Sequence, residues 1–333
     1  MRALVFKRYG KSPDVGFAQV SLPALKPNEV LVEVHAAGIN PIDNMIPTGI
    51  FKPVLKFQLP AVLGSDLAGV ITEVGSGVTR FKVGDAIFAS LFDLGTGSIA
   101  EFAVVPQSAA ALKPANLDFV QAASIPMVGL TSWQAFKERA DLQPGHKVFI
   151  PAGSGGIGSF AIQLARYLGA KVATNTSTAN VQLVSSLGAE TVIDYKKQAF
   201  ETVLSDYDLV LGTLRGDVIE KSVDVLKPGG KILSLVGPLD KAFARTRELN
   251  SLLGFIFGLM SRKIMRLTRS RKVTYSFLFV RPDGDQLGEI GKLLEAEQIR
   301  PVIDKVFAFE QAKDALEYLA KGRARGKVVV KIK

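Results

Sequence analysis

Lys147-Val148-Phe149-Ile150-Pro151-Ala152-Gly153-Ser154-Gly155-Gly156-Ile157-Gly158, continued by SFAIQLARYLGA over 159–170, is the stretch whose reading decides the fold. A short apolar strand runs straight into Gly-x-Gly-x-x-Gly, and the residues after it recur with helical spacing. As a string this pattern is common. Between a strand and a helix, with a further apolar strand at 171–174, it is the mark of a dinucleotide-binding βαβ unit. Glycine, lacking Cβ, lets the backbone approach a pyrophosphate, and the helix N-terminus meets it with unpaired N–H groups and a partial positive charge. Gly153, Ser154, Gly155, Gly156, Ile157 and Gly158 are therefore candidate cofactor-binding residues.

The residues after the second strand bear on the choice of cofactor. An NAD site of this design places Asp or Glu there to hold the ribose 2′-OH. No acidic residue occurs from Gln143 to Ala189. Asn175, Thr176, Ser177, Thr178 and Asn180 stand there instead, neutral donors able to hold a 2′-phosphate that a carboxylate would repel, which favours NADPH. The nearest downstream bases are Lys196 and Lys197. The same cluster also fits a polar loop that caps the helix after Ala179.

Upstream, as far as about residue 119, short apolar runs are split by Gly, Pro and Asp turns, and Val30, Val32 and Val34 alternate on one side of a strand. From about residue 118 the rhythm changes to strands (147–151, 171–174, 191–193, 208–211, 231–236) alternating with helical stretches (157–168, 181–187, 217–226), which predicts parallel βαβ units. Lys227-Pro228-Gly229-Gly230 reads as a stop before the fifth strand. A β-rich run at 273–280, a helix at about 286–297 and strands at 302–307 and 327–332 complete the pattern. The expected fold is α/β: a GroES-like β-rich catalytic domain plus a Rossmann-type doubly wound parallel-sheet cofactor domain. Its divisions are 1–119, 120–281 with an insertion at about 241–272, and a return to the catalytic domain at 282–333.

The chain has 333 residues, enough for two cores, with 47% hydrophobic and 22% charged residues. It has no cysteine, which removes disulfides, thiolate nucleophiles and cysteine-bearing metal sites. Nothing reads as a secretory signal or a membrane span, so a cytoplasmic location is expected. The net charge is +10, but nine basic residues and the single acid Glu248 lie between Lys241 and Lys272, so most of the excess belongs to one segment. Within it, residues 252–260 are strongly apolar and are followed by Ser261-Arg262-Lys263-Ile264-Met265-Arg266. Such a stretch fits either contact with an anionic membrane surface through 252–272 or a lid or dimer helix with solvated arginines. No nucleic-acid partner is expected, because the segment lacks interleaved aromatics for stacking on bases.

With the glycine motif placed behind an N-terminal β domain, the chain resembles the zinc-independent quinone oxidoreductase and alkenal/enone reductase branch of the medium-chain dehydrogenase/reductases, the zeta-crystallin-like group. The matching pieces are Asn40-Pro41-Ile42-Asp43, Gly64-Ser65-Asp66-Leu67-Ala68-Gly69-Val70, Val74-Gly75-Ser76-Gly77-Val78, Phe81-Lys82-Val83-Gly84-Asp85, Ala152 to Gly158, and Leu226-Lys227-Pro228-Gly229-Gly230. The resemblance implies a homodimer in which the strand near 273–280 pairs across the interface. It also implies an NADPH-dependent enzyme that passes hydride to a quinone or an α,β-unsaturated carbonyl acceptor. It places Asn40 near the nicotinamide, Asp43 as an orienter of the loop, and Thr131 against the nicotinamide half. Tyr195 falls near the adenosine phosphate, Gly237 at the end of the strand facing the ribose, and Arg325 and Lys327 on the stretch that returns to the cofactor. Zinc-dependent relatives need about three protein ligands. With no cysteine and only His35 and His146, that site cannot be built in its usual form. The enone reductases follow their Asn-Pro-[Ile/Val]-Asp motif with an aromatic residue and a lysine, whereas Asn44 and Met45 stand here, which leaves the acceptor open. A non-catalytic NADPH-responsive protein that binds RNA or a membrane surface is the alternative that the basic segment keeps in play.

Overall fold

Alternation at Val30, Val32 and Val34 buries one face of a long strand, and the run Ala36-Ala37-Gly38-Ile39 at its end is buried on both faces. That strand is the spine of the first of two units. The computed structural model describes residues 1–333, and these divide into unit 1, Met1–Leu130 with Val280–Lys333, and unit 2, Thr131–Phe279.

Unit 1 begins with β1 (Arg2–Phe6), β2 (Val15–Gln19), β3 (Glu29–Ile39), helix α1 (Pro41–Met45), β4 (Ala61–Val62), β5 (Asp66–Val74), β6 (Ala86–Ser90), β7 (Phe102–Pro106), β8 (Ala110–Leu112) and α2 (Phe119–Ala123). Helix α3 (Pro126–Trp133) leads into unit 2 and continues as a π-helical turn over Gln134–Ala140. Unit 2 then contains β9 (Lys147–Ile150), α4 (Gly156–Tyr167), β10 (Lys171–Thr176), α5 (Val181–Ser186), β11 (Thr191–Asp194), β12 (Tyr207–Gly212), α6 (Val218–Lys221), β13 (Leu226–Ser234), α7 (Lys241–Thr246), α8 (Ser251–Met260), α9 (Arg262–Ser270) and β14 (Thr274–Phe277). The chain returns to unit 1 with α10 (Gly284–Glu295), β15 (Ile303–Ala308), α11 (Ala312–Ala320) and β16 (Lys327–Lys331).

Strands β2-β1-β4 make a small sheet in unit 1, and β15-β16-β3-β5-β6-β8 a larger one, with β7 also on β3. The returning strand β16 lies antiparallel to β3, with Val328 opposite Ile39. Unit 2 is one parallel sheet in the order β11-β10-β9-β12-β13-β14, the third-second-first-fourth-fifth-sixth order of the dinucleotide-binding fold. Its core takes at least one side chain from every strand, among them Phe149, Ala173, Ile193, Val210, Ile232 and Tyr275.

Three expectations shift. The boundary falls after Leu130 rather than 119, because α2 packs on β3 and β5 and the Met127 N–H donates to Asp66 Oδ1 at 2.9 Å. The helix expected over 217–226 shrinks to Val218–Lys221. Lys227-Pro228-Gly229-Gly230 turns inside the span of β13 instead of preceding it, with Gly229 in the left-handed region at φ +87°.

Candidate active site

Two clusters of polar side chains stand out, one in each unit. In unit 1, Asn40-Pro41-Ile42-Asp43 starts α1: Pro41 takes the first turn, where a missing N–H is harmless, and Asp43 reaches back so that its Oδ2 accepts the Asn40 N–H at 2.8 Å. This frees the Asn40 side chain for other partners. Its Nδ2 donates to Ser65 Oγ (2.9 Å) and Asp66 Oδ2 (2.8 Å), while its Oδ1 accepts from Lys327 Nζ (2.6 Å). Lys327 Nζ also lies 3.3 Å from Asp66 Oδ2. Asn40, Asp43, Ser65, Asp66 and Lys327 are all buried.

The electrostatics follow from that burial. Burial pushes the Asp43 carboxyl up to about 7, against the pull of the Asn40 N–H and the Ser65 hydroxyl. Burial also raises Asp66, and the Lys327 ammonium opposes the shift. With Asp43 protonated the cluster is electrically neutral, one carboxylate facing one ammonium. Asp43 Oδ1 is buried with no hydrogen-bond partner, and Asp43 borders a small recess of mixed character with Ile46, Phe57, Ser65, Phe92, Asp93 and Thr96.

In unit 2 the glycine turn is built for close approach. A Cβ at Gly153 would lie 2.1 Å from Thr174 Oγ1, and one at Gly158 would lie 2.4 Å from Ala152 O and 2.6 Å from Gly153 Cα. Ala152 itself takes φ +54°, a strained value for a residue with a side chain. Its N–H donates to Asn175 Oδ1 at 2.8 Å. The N-cap of α4, Gly155, gives no side-chain cap, so the first-turn N–H groups of Gly156, Ile157 and Gly158 are left without a side-chain acceptor and can take an anion. These features fit a dinucleotide pyrophosphate.

Of the neutral cluster, Thr176 Oγ1 (2.9 Å) and Asn180 Nδ2 (3.1 Å) both donate to Ser154 Oγ, which draws the three residues together at the mouth of the turn. Asn175 is turned to the strained Ala152 instead. The Ser177 carbonyl accepts from the Asn180 N–H at 2.8 Å. Thr178 Oγ1 donates to Asp194 Oδ2 at 2.7 Å. That carboxylate escaped the sequence reading because it ends the next strand, β11; a scan extended to that strand end would have found it. Hydrogen bonding to Thr178 holds it below the usual carboxylate range, and the Lys197 ammonium lies 3.7 Å away.

The remaining predicted residues scatter. Tyr195 is 59% exposed and touches the cluster only through its N–H, which donates to Thr176 O at 3.1 Å. The Gly237 N–H donates to Ser234 Oγ at 2.8 Å. Thr131 is buried at the start of unit 2. Arg325 is exposed while Lys327, two residues on, is buried with Asn40. Asp66 opens the apolar run Leu67-Ala68-Gly69-Val70, and a carboxylate at the head of such a run is the one signal of its role that the sequence carries.

Comparison with known proteins agrees with this architecture. Residues 26–115 match the alcohol dehydrogenase GroES-like domain, and residues 187–330 match the zinc-binding dehydrogenase family. Across 361 residues, 100% of this chain and 91% of the relative, it is 35% identical to the NAD(P)H oxidoreductase RTN4IP1, mitochondrial, of Danio rerio. It is 33% identical to the NADPH-dependent alkenal/one oxidoreductase, chloroplastic, of Arabidopsis thaliana, over 99% of this chain and 79% of that one. The solved quinone oxidoreductase from Coxiella burnetii superposes with TM-score 0.85 at 30% identity, covering 100% and 99% of the two chains. The chain belongs to the medium-chain dehydrogenase/reductases, an oxidoreductase superfamily. Within it, the chain is a member of the zinc-independent quinone and enone oxidoreductase family. The zinc for which one matching family is named does not fit these residues: there is no cysteine, and no group of three or more His, Asp and Glu side chains converges.

Proposed function

We propose that the protein is an NADPH-dependent reductase of quinones or α,β-unsaturated carbonyl compounds. The observation that carries this reading is the uncapped start of α4 beside Ser154, Thr176 and Asn180, a phosphate cradle whose nearest side chains are neutral. The likeness to an alkenal/one oxidoreductase and to a quinone oxidoreductase supports the acceptor class. Asp194 weighs the other way, and its ion pair with Lys197 offsets part of its charge.

When bound, the nicotinamide cofactor supplies the hydride. The protein's task is then to orient and to manage protons. We assign the cofactor to Gly153, Ser154, Gly155, Gly156, Ile157 and Gly158, and the acceptor side to Asn40, Asp43 and Lys327. Lys327 fixes the Asn40 amide through its Oδ1, which directs the Asn40 Nδ2 hydrogens towards Ser65 and Asp66. Asp43 holds a proton near neutral pH at Oδ1, since Oδ2 is occupied by the Asn40 N–H. We also propose a homodimer, because β14 ends its sheet with one edge unpaired in the chain.

The test is NADPH oxidation followed by absorbance with a panel of quinones, alkenals and enones, beside calorimetry with NADPH and NADH. Turnover of at least one acceptor with tighter binding of NADPH supports the reading. No turnover with any acceptor, or tighter binding of NADH, refutes it.

A further inference from the structure

In unit 2 the segment between β13 and β14 forms three short helices whose inner faces are well packed. Phe257 of α8 is buried 6.0 Å from the ring of Phe243 on α7, and Ile264 of α9 joins the core of the parallel sheet. Ser261 joins α8 to α9, with both its N–H (3.0 Å) and its hydroxyl (2.9 Å) donating to Phe257 O. The pair is thus a built element rather than a loose loop.

Its outer face is unlike the rest of the surface. Leu252, Phe255, Ile256, Leu259 and Met260 recur at steps of three and four along α8, so they share one side of the helix, and every one is exposed, from 39% for Ile256 to 65% for Leu252. Met265 on α9 is also exposed. On the helix that follows, α9, Arg262, Arg266 and Arg269 recur at the same steps and lie exposed. Lys263 is tied to Glu220 at 2.5 Å and Arg271 to Asp224 at 2.8 Å, whereas no carboxylate pairs with Arg262, Arg266 or Arg269. Two successive helices thus hold a row of large apolar side chains and three unpaired guanidiniums in water.

We propose that the outer face of α8 and α9 docks on an anionic phospholipid bilayer, with the α8 side chains entering the boundary between headgroups and acyl chains and the α9 arginines pairing with lipid phosphates. Charge selects this occupant. A second copy would bring two such basic faces together, each from a segment with nine basic residues and one acid. Nucleic acid would satisfy the arginines but leave an apolar row with a single aromatic ring, Phe255, uncovered. An anionic bilayer meets both halves: apolar depth under the row and negative charge beside it. No helix is long and apolar enough to cross a membrane, so the contact is peripheral. Lipid docking requires nothing of the cofactor or acceptor assigned above.

The experiment is partition of the full chain on phosphatidylcholine vesicles with and without phosphatidylglycerol, at low and high ionic strength. Binding is expected only to the phosphatidylglycerol vesicles and is weakened by salt. At about fivefold per arginine, the variant R262Q/R266Q/R269Q loses partition on the order of 100-fold, with circular dichroism and the thermal midpoint unchanged because all three side chains are exposed. In a second variant, Leu259→Trp, the new indole shifts its emission to the blue on phosphatidylglycerol vesicles and is quenched by brominated acyl chains. The proposal is overturned if the wild type does not partition at low ionic strength, or if the triple variant partitions as the wild type does. It is equally overturned if Phe255→Ser with Leu259→Ser dissociates an oligomer that binds no vesicles, for then a second copy covers the face.

Discussion

Replacing Asp43 with asparagine keeps the shape of a buried side chain and removes its charge, so the variant reads out what that carboxyl does. The carboxyl titrates about 7 in the folded protein against an ordinary 3.8. Between those values the folded protein keeps a proton that the unfolded chain releases, so the native state binds more protons and stability falls as pH rises. The contribution is fully present below about pH 4, is lost through the folded value, and is constant above it. Between pH 5 and pH 8 the loss is roughly 2.5 kcal/mol, at about 1.36 kcal/mol per pH unit of differential protonation. The amide that replaces the carboxyl does not ionise and carries no such penalty. Relative to the wild type the variant should therefore gain about that much over the interval, a change of roughly 70-fold in an opening constant. The single tryptophan, Trp133, belongs to unit 2 and would not follow the relevant unit. Hydrogen exchange of the amides in β3 and β5 reports unit 1 directly. A ratio of variant to wild-type protection that stays constant from pH 5 to pH 8 would show that Asp43 ionises as an ordinary carboxylate, and would refute the reasoning.

Lys327→Met leaves Asp66 buried without its cation and should destabilise unit 1 by about 3 to 5 kcal/mol; adding Asp66→Asn should recover most of the loss in thermal unfolding. Gly158→Ala forces a Cβ to 2.4 Å from Ala152 O, and calorimetry should find NADPH binding weakened at least about tenfold. Asp194→Asn removes the carboxylate beside Thr178, and the ratio of NADH to NADPH dissociation constants should rise several-fold. An unchanged ratio would place the 2′-phosphate away from that side chain.

The strand, glycine turn and helix over 147–167 could be read from the sequence because each step is local: an apolar run, four glycines and a helical period, all within about twenty residues. For the same reason the parallel strands fell within two residues of their observed ends, apart from the ends of β13 and β14. Partnerships made through space left no such trace. Lys327 meets Asp66 across 261 residues of chain, and periodicity says nothing about a pairing at that range. Asp194 meets Thr178 because β10 and β11 are parallel neighbours with Thr176 opposite Asp194, a register that only the sheet reveals. The helix at 217–226 ends early because residues 222–225 form a turn that leads into β13 at Leu226, and helical spacing alone does not mark that stop.

The hydrogen bond between Lys327 and Asn40 joins residues 287 apart in sequence, while all of unit 2 lies between them. During synthesis the parallel sheet of unit 2 can therefore form as soon as its own residues leave the ribosome, whereas β3, already paired with β5 and β7, must wait for β16 to complete its pairing. Until then Asn40 and Asp66 lack their ammonium. A nascent chain arrested before residue 327 would carry the whole glycine turn of unit 2 and an unfinished Asn40 and Asp66 cluster in unit 1, which makes ribosome-stalled lengths a natural series on which to watch the two units mature in turn.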